Sequence, residues 1–380
     1  MTSVSSIRCG ASQSTDPEIA AHELAAAIRQ EDAALTVFFC SPHYDRERLA
    51  TSLRRAFAAT PLIGCTTAGE ISPSAYSNES ISGVSFGARD FEAACIDLPV
   101  ASSQTVPQAI SALRENLTAR GPTLTPANTF GFLLIDGLSM REEFVASLVH
   151  QNLRGIQLLG GSAGDGTRFG STYVYYNGEF HSDAGLLTLV RTTLPFTMFR
   201  TQHFEPSATK LVVTAADPSR RIVSEINGRP AGPEFARAVG LDVSQLTPLI
   251  FAAHPVVVRL GGEYYVRSIQ KVGDDGSLTF FCAIDAGLVL TVARNLDIID
   301  GLHAAFEDVR RRIGPPQVVL SCDCVLRRLE LERRGVKDRA AAIFANNNAV
   351  GFATYGEQFN AMHLNQTFVG LAIGAPTEIA

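Results

Sequence analysis

The stretch LIGCTTAGEI at residues 62–71 returns in nearly the same form as LLGGSAGDG at 158–166, and more loosely as AVGFATYGEQ at 349–358. Each copy runs from an apolar strand-like segment through small residues and glycine to an acid or amide. A phrase that recurs at such distances signals either a duplicated fold unit or a set of small-group binding turns. The flanking sequence favours duplication. Before the first copy lie LTVFFC (35–40), which reads as a buried strand, and DRERLATSLRRAF (45–57), a helix with Leu49, Leu53 and Phe57 on one face. Before the second lie NTFGFLLID (128–136), a strand, and GLSMREEFVASLVHQNL (137–153), a helix in which Ser139 and Glu142 suggest a capping box. Before the third lie PQVVLSCD (316–323), again a strand, and a helical run over 324–345. Glycine in the repeated phrase is expected where the chain turns sharply.

Hairpins follow the first two copies. SISGVSFG and FEAACIDL (80–98) read as two arms of one, and TYVYYNGEFHSDAGLLTLV (172–190) turns at Asn177-Gly178. The opening helix is well marked, with Asp16 as cap and Pro17 in its first turn. A different region separates the second and third copies. TKLVVTAADPSRRIVSEING (209–228) reads as a hairpin and RPAGPEFARAVGL (229–241) as a helix behind Pro230. Alternating strands follow to residue 284, and LDIIDGLHAAFEDVRRRIG (296–314) is an amphipathic helix. The expected fold is α/β, with mixed sheets built from repeated strand–helix–strand–turn–hairpin units. Two domains are expected, 1–200 and 201–380, with the break around residues 191–207.

Composition narrows the function. The 380 residues are 46% hydrophobic and 18% charged, enough for a large core, and the formal charge of −6 argues against nucleic acid as a partner. The start of the chain lacks a basic segment followed by an apolar one, and the apolar runs are of strand length. No membrane association is therefore expected, and a cytoplasmic location is. The seven cysteines have no framework spacing and read as reduced thiols. The glycine turns could cradle an anion through backbone N–H groups, yet they match neither the dinucleotide nor the phosphate-loop spacing. Cys322 and Cys324 in SCDC lack the second pair that a zinc site needs. Cys65, with His43 on a neighbouring loop, is a conceivable nucleophile, although a cysteine at an apolar strand end is ordinarily a small core residue. His254 lies in the apolar FAAHPVVV and His363 in FNAMHLNQTF. Each suits a structural hydrogen-bonded role, and a neutral imidazole in such surroundings also suits a haem iron.

GCTTAGEI, LLGGSAGDG, VTAADPSRRIVSEINGRPA, HPVVVRLGGEYYVRSI, SCDCVLRR and GFATYGEQFNAMHLNQTF, taken together and in this order, resemble the FIST proteins, bacterial two-part sensory modules with FIST N and FIST C domains. The form YGEQFNAMHLNQTF is most similar to the nitric oxide-sensing branch of that family. The resemblance implies a non-covalent haem b, with His254 as first choice and His363 as second choice for the axial iron ligand. It also implies nitric oxide as the signal and no enzymatic activity. The implied partner is a histidine kinase or a cyclic-di-GMP synthase or phosphodiesterase, and a homodimer is compatible with the sequence. The alternative is a non-haem module for a small amino-acid-like ligand, contacted by Thr66, Thr67, Glu70, Ser162 and Asp165. A third reading, a thiol enzyme using Cys65 or Cys322, is weaker than both.

Overall fold

A computed structural model describes residues 5–58, 60–99 and 105–376. The duplication is real and threefold. Unit one has strands Ile7–Ser12, Ala33–Cys40, Leu62–Thr66 and Ile81–Gly87, with helices Pro17–Ile28 and Arg46–Phe57. Unit two repeats this with strands Phe91–Pro99, Thr129–Ile135, Gln157–Ser162 and Ala184–Thr192 and helices Val106–Thr118 and Glu142–Asn152. Unit three opens with strand Phe196–Thr201 and resumes at helix Ile298–Ile313. It then has strands Val318–Cys324, Ala349–Thr354 and Phe368–Ile373 and helices Val325–Arg333 and Lys337–Ala345. In every unit the second and third strands pair in parallel, and the fourth lies antiparallel between the second and the first.

The units are joined by exchange. A short hairpin leaves each one and completes a neighbour's sheet. That of unit one (Glu70–Ser72 with Ala75–Ser77) pairs with Ala349–Thr354 of unit three. That of unit three (Glu357–Phe359 with Met362–Leu364) pairs with Gln157–Ser162 of unit two. That of unit two (Val174–Tyr176 with Glu179–His181) pairs with Leu62–Thr66 of unit one. Each sheet therefore has six strands, closing a cycle. At its centre three equivalent backbone bonds link the units: Ala68 N–H to Ala353 O (2.9 Å), Tyr355 N–H to Ser162 O (3.3 Å) and Gly164 N–H to Thr66 O (2.9 Å). The inner faces share one core, in which Phe39 of unit one stacks on Phe352 of unit three at 4.6 Å, while helices cover the outer faces.

The shared glycine of the repeated phrase is not a turn residue. Gly64, Gly160 and Gly351 lie inside strands, and a Cβ on each would come within 2.4, 2.0 and 1.9 Å of the carbonyl oxygens of Phe38, Leu133 and Ser321 on the neighbouring parallel strand. Close backbone approach, not a left-handed turn, demands glycine here. Other local expectations also change. Ile81–Gly87 and Phe91–Pro99 do not pair with each other, because the chain passes between them from the first sheet to the second. Helix Glu142–Asn152 has no side-chain cap, because it starts after Arg141, whose guanidinium offers no acceptor, and Glu142 is held by Arg221. Asp16 does cap its helix, accepting from the amides of Glu18 and Ile19.

Between Thr201 and Ile298 unit three is interrupted by an insert, an eight-stranded antiparallel sheet with its own core of Leu211, Val213, Val223, Phe235, Phe251 and Val258. Its strands include Phe204–Asp217 and Ile222–Ile226, paired as the sequence suggests. Among the described residues no helix is long and apolar enough to cross a membrane.

Candidate functional site

The residues singled out in the repeated phrase gather where the three units meet, and their side chains are bonded into that junction. Thr66 Oγ1 accepts the Tyr173 amide at 3.0 Å, and Ser162 Oγ accepts from Gln358 Nε2 at 2.9 Å. Thr67 donates to Glu70 at 2.5 Å, and Ser80 donates to the other carboxylate oxygen at 2.8 Å. Asp165 accepts from the amides of Phe169, Gly170 and Ser171 at 2.8–2.9 Å and from the Tyr355 hydroxyl. Burial opposes its charge, but these four donors hold its carboxyl below the usual range. Thr67 and Asp165 also border a small cavity of about 220 Å³ that His43 and Arg328 help to enclose.

A larger cleft of about 760 Å³ opens beside the junction, between the repeat body and the insert. Unit two supplies Leu138, Met140 and Glu142 from the start of a helix, and Thr167, Arg168 and Phe169 from the loop clamped by Asp165. Unit three supplies Tyr355. The insert supplies Arg220, Arg221, Lys271, Thr279, Phe280 and Phe281. Phe169 stands against Tyr355 with ring centroids 4.7 Å apart and against Phe281 at 5.6 Å, so the deep side is aromatic. Arg221 ties the walls together. Its guanidinium donates to Glu142 at 2.5 Å, to Glu143 at 2.7 Å and to the Phe281 carbonyl at 2.8 Å. Burial works against its charge, yet the two carboxylates overcome that and raise it above the ordinary guanidinium range. The sequence reading missed every one of these cleft side chains. A signal was nonetheless present, because TTAGE (66–70) and ATYGE (353–357) align residue for residue, whereas unit two reads SAGDGTRFGSTYV (162–174) at the same place.

The histidines lie elsewhere. His254 is not in a strand; it ends the short helix Pro248–Ala253 and is half-buried, and burial followed by the nearby Arg333 lowers its pKa. His363 is 3% exposed in strand Met362–Leu364, with Nδ1 3.3 Å from Gln358 Nε2 and the Phe281 backbone against the ring. Burial pushes it down to about 4, so the ring is neutral. A Cβ on Gly356 would come within 2.1 Å of its Cε1, which places the backbone of the turn directly over the ring edge. Neither imidazole lines the cleft or the small cavity. Cys65, Cys322 and Cys324 are buried, and desolvation drives their pKa values well up, which leaves protonated thiols rather than nucleophiles. Among the described residues no group of three or more His, Cys, Asp or Glu side chains is placed to hold a metal ion.

Residues 34–229 match the family model described as the FIST N domain and residues 231–360 match that of the FIST C domain. No curated protein matches the chain. Among solved structures it is similar to a cyanuric acid hydrolase from A. caulinodans at 10% identity and a TM-score of 0.35, over 97% of this chain and 99% of that one, a likeness too distant to bear on function.

Proposed function

The chain belongs to the FIST family, and on that premise we propose that it is a sensory module whose signal is a small molecule bound in the cleft between the repeat body and the insert. FIST domains are sensory modules of signal transduction. The observation that carries the reading is the cleft itself. Its volume falls within the roughly 300–1,000 Å³ typical of small-molecule sites, and residues from both matched regions build its walls. A ligand touching both walls stabilises one setting of the insert against the repeats. That setting becomes a signal when a partner binds the two settings with different affinity. We place a histidine kinase or a cyclic-di-GMP enzyme in the partner's role, a choice supported by the family resemblance alone. The test is a thermal-shift screen of metabolites on the wild type and on Thr167→Trp, which fills the cleft from an exposed position. Ligands that raise the wild-type midpoint and lose that effect in the variant support the reading. A screen without such ligands, or with ligands indifferent to Thr167→Trp, overturns it.

The haem and nitric oxide reading has one observation in its favour, the neutral buried imidazole of His363. Its surroundings speak against it. The Gly356 backbone covers the ring, and neither His363 nor His254 lines the cleft. These residues as arranged do not fit haem, and no haem chemistry is assigned to them. Absorption spectra after haem addition, for the wild type, His254→Ala and His363→Ala with and without nitric oxide, decide the matter. A Soret band that shifts with nitric oxide and collapses in one variant would reinstate the sensor; loosely bound haem indifferent to both substitutions would end it.

A further inference from the structure

The threefold repeat breaks at one place. In units one and three the glycines Gly69 and Gly356 pass directly into Glu70 and Glu357, whose strands pair with the neighbouring sheet at Phe352 and Gly161. The equivalent of these acids in unit two is Val174, paired with Cys65, and residues 165–172 are added ahead of it. The added loop is what brings Thr167, Arg168 and Phe169 into the cleft. Its geometry is enforced. Phe169 has a φ of +51°, a left-handed conformation that an aromatic residue disfavours, and its amide is held there by Asp165 at 2.8 Å and the Tyr355 hydroxyl at 3.4 Å. The result is a half-buried ring backed by the rings of Tyr355 and Phe281.

The cleft is also unbalanced in charge. Glu142 is engaged by Arg221. Arg168, Arg220 and Lys271 line the same cleft, are exposed, and form no ion pair among the described residues. Asp217 and Asp275 act on Arg220 from within the insert, yet the cleft lining itself carries more cations than acids, which favours an anion. The half-buried Phe169 ring on its aromatic cluster favours a flat partner over a saturated one.

We propose that the ligand is a planar aromatic compound carrying an anionic group, its ring system against Phe169 and its charge at the Arg168, Arg220 and Lys271 side of the cleft. The assignment rests on the sensory reading above and narrows it to a ligand class. Titration calorimetry with 2-naphthoate tests it, using 2-naphthalenemethanol as the uncharged match and cyclohexanecarboxylate as the saturated one. The expected result is saturable 1:1 binding of 2-naphthoate, about tenfold tighter than either control, weakened about tenfold by Arg220→Gln or Lys271→Gln and about fivefold by Phe169→Leu. All three substitutions fall at exposed or half-buried positions, and an unchanged melting midpoint without ligand confirms that the fold is retained. A parallel titration with 2-naphthyl phosphate shows whether a phosphate serves as the anion, and binding of either anion supports the class. Equal binding of the controls, or binding indifferent to all three substitutions, overturns it. If the metabolite screen returns cleft-dependent ligands that are neither aromatic nor anionic, the sensory reading stands and this assignment falls. A screen with no cleft-dependent ligand removes both.

Discussion

Glu70 and Glu357 show the repeat at atomic detail. In each, a threonine three residues earlier donates to one carboxylate oxygen at 2.5 Å (Thr67 and Thr354). A hydroxyl ten residues later donates to the other, Ser80 at 2.8 Å and Thr367 at 2.6 Å, with the amide of that same residue alongside. Burial outweighs these bonds and pushes Glu70 up to about 7 and Glu357 up to about 8, from an ordinary value of 4.5. The folded protein therefore retains protons that the unfolded chain has already released. Stability from these two groups is fully present below pH 4.5 and is lost as pH rises through 7 and 8. Glutamine mimics the protonated acid, so Glu70→Gln with Glu357→Gln removes this dependence. Between about pH 5 and pH 8 the stability of the wild type, measured by urea unfolding, should fall relative to the double variant by on the order of 1 kcal/mol per pH unit per carboxyl. Parallel pH profiles for the two proteins would show that both acids are ionised when folded.

At the scale of elements, alternation of strand and helix was legible wherever periodicity was strong, as in Ala33–Cys40 or the helix Arg46–Phe57 with its buried Leu49, Leu53 and Phe57. The exchange of hairpins was not, because nothing local in EIS or EQF specifies which sheet edge it joins; that choice belongs to the shared core. Asp165 was legible as an important polar residue. Its role as a clamp was not, since its partners Phe169, Gly170 and Ser171 become neighbours only when the added loop curls back. Asp165→Ala leaves the amides of Gly170 and Ser171 without their acceptor and that of Phe169 with only the Tyr355 hydroxyl at 3.4 Å. Loss of such bonds amounts to about 1–3 kcal/mol, felt mainly in the loop. Hydrogen exchange should accelerate at the amides of 169–171 while Ala33–Cys40 remains protected, and binding in the cleft should weaken in step. Unchanged exchange at the three amides would mean that the loop holds its shape without the carboxylate.

For the whole molecule the decisive question is how the insert, which interrupts unit three, is held to a repeat body that is complete without it. Arg221 is one buried polar tie, joining the insert to Glu142 and Glu143 at the start of a unit-two helix; His203 against Glu330 of helix Val325–Arg333 at 2.8 Å is another. The side chain of Glu142 is 2% exposed and burial pushes its carboxyl up to about 7 even beside Arg221, so truncating that partner leaves a buried acid that must either keep an unpaired charge or take up a proton. Arg221→Ala is therefore expected to cost about 3–5 kcal/mol in equilibrium unfolding, far more than the loss of a surface ion pair. Arg221→Met combined with Glu142→Leu removes both buried charges and should recover most of that loss. If the cleft transmits a signal, the apolar pair should also blunt the ligand-dependent change in partner affinity, because a nonspecific contact slides where a guanidinium shared between two carboxylates and a carbonyl holds one geometry. Recovery of stability together with loss of signalling would identify Arg221 as the element that sets the angle between insert and repeats. Recovery of both would leave the tie a matter of stability alone.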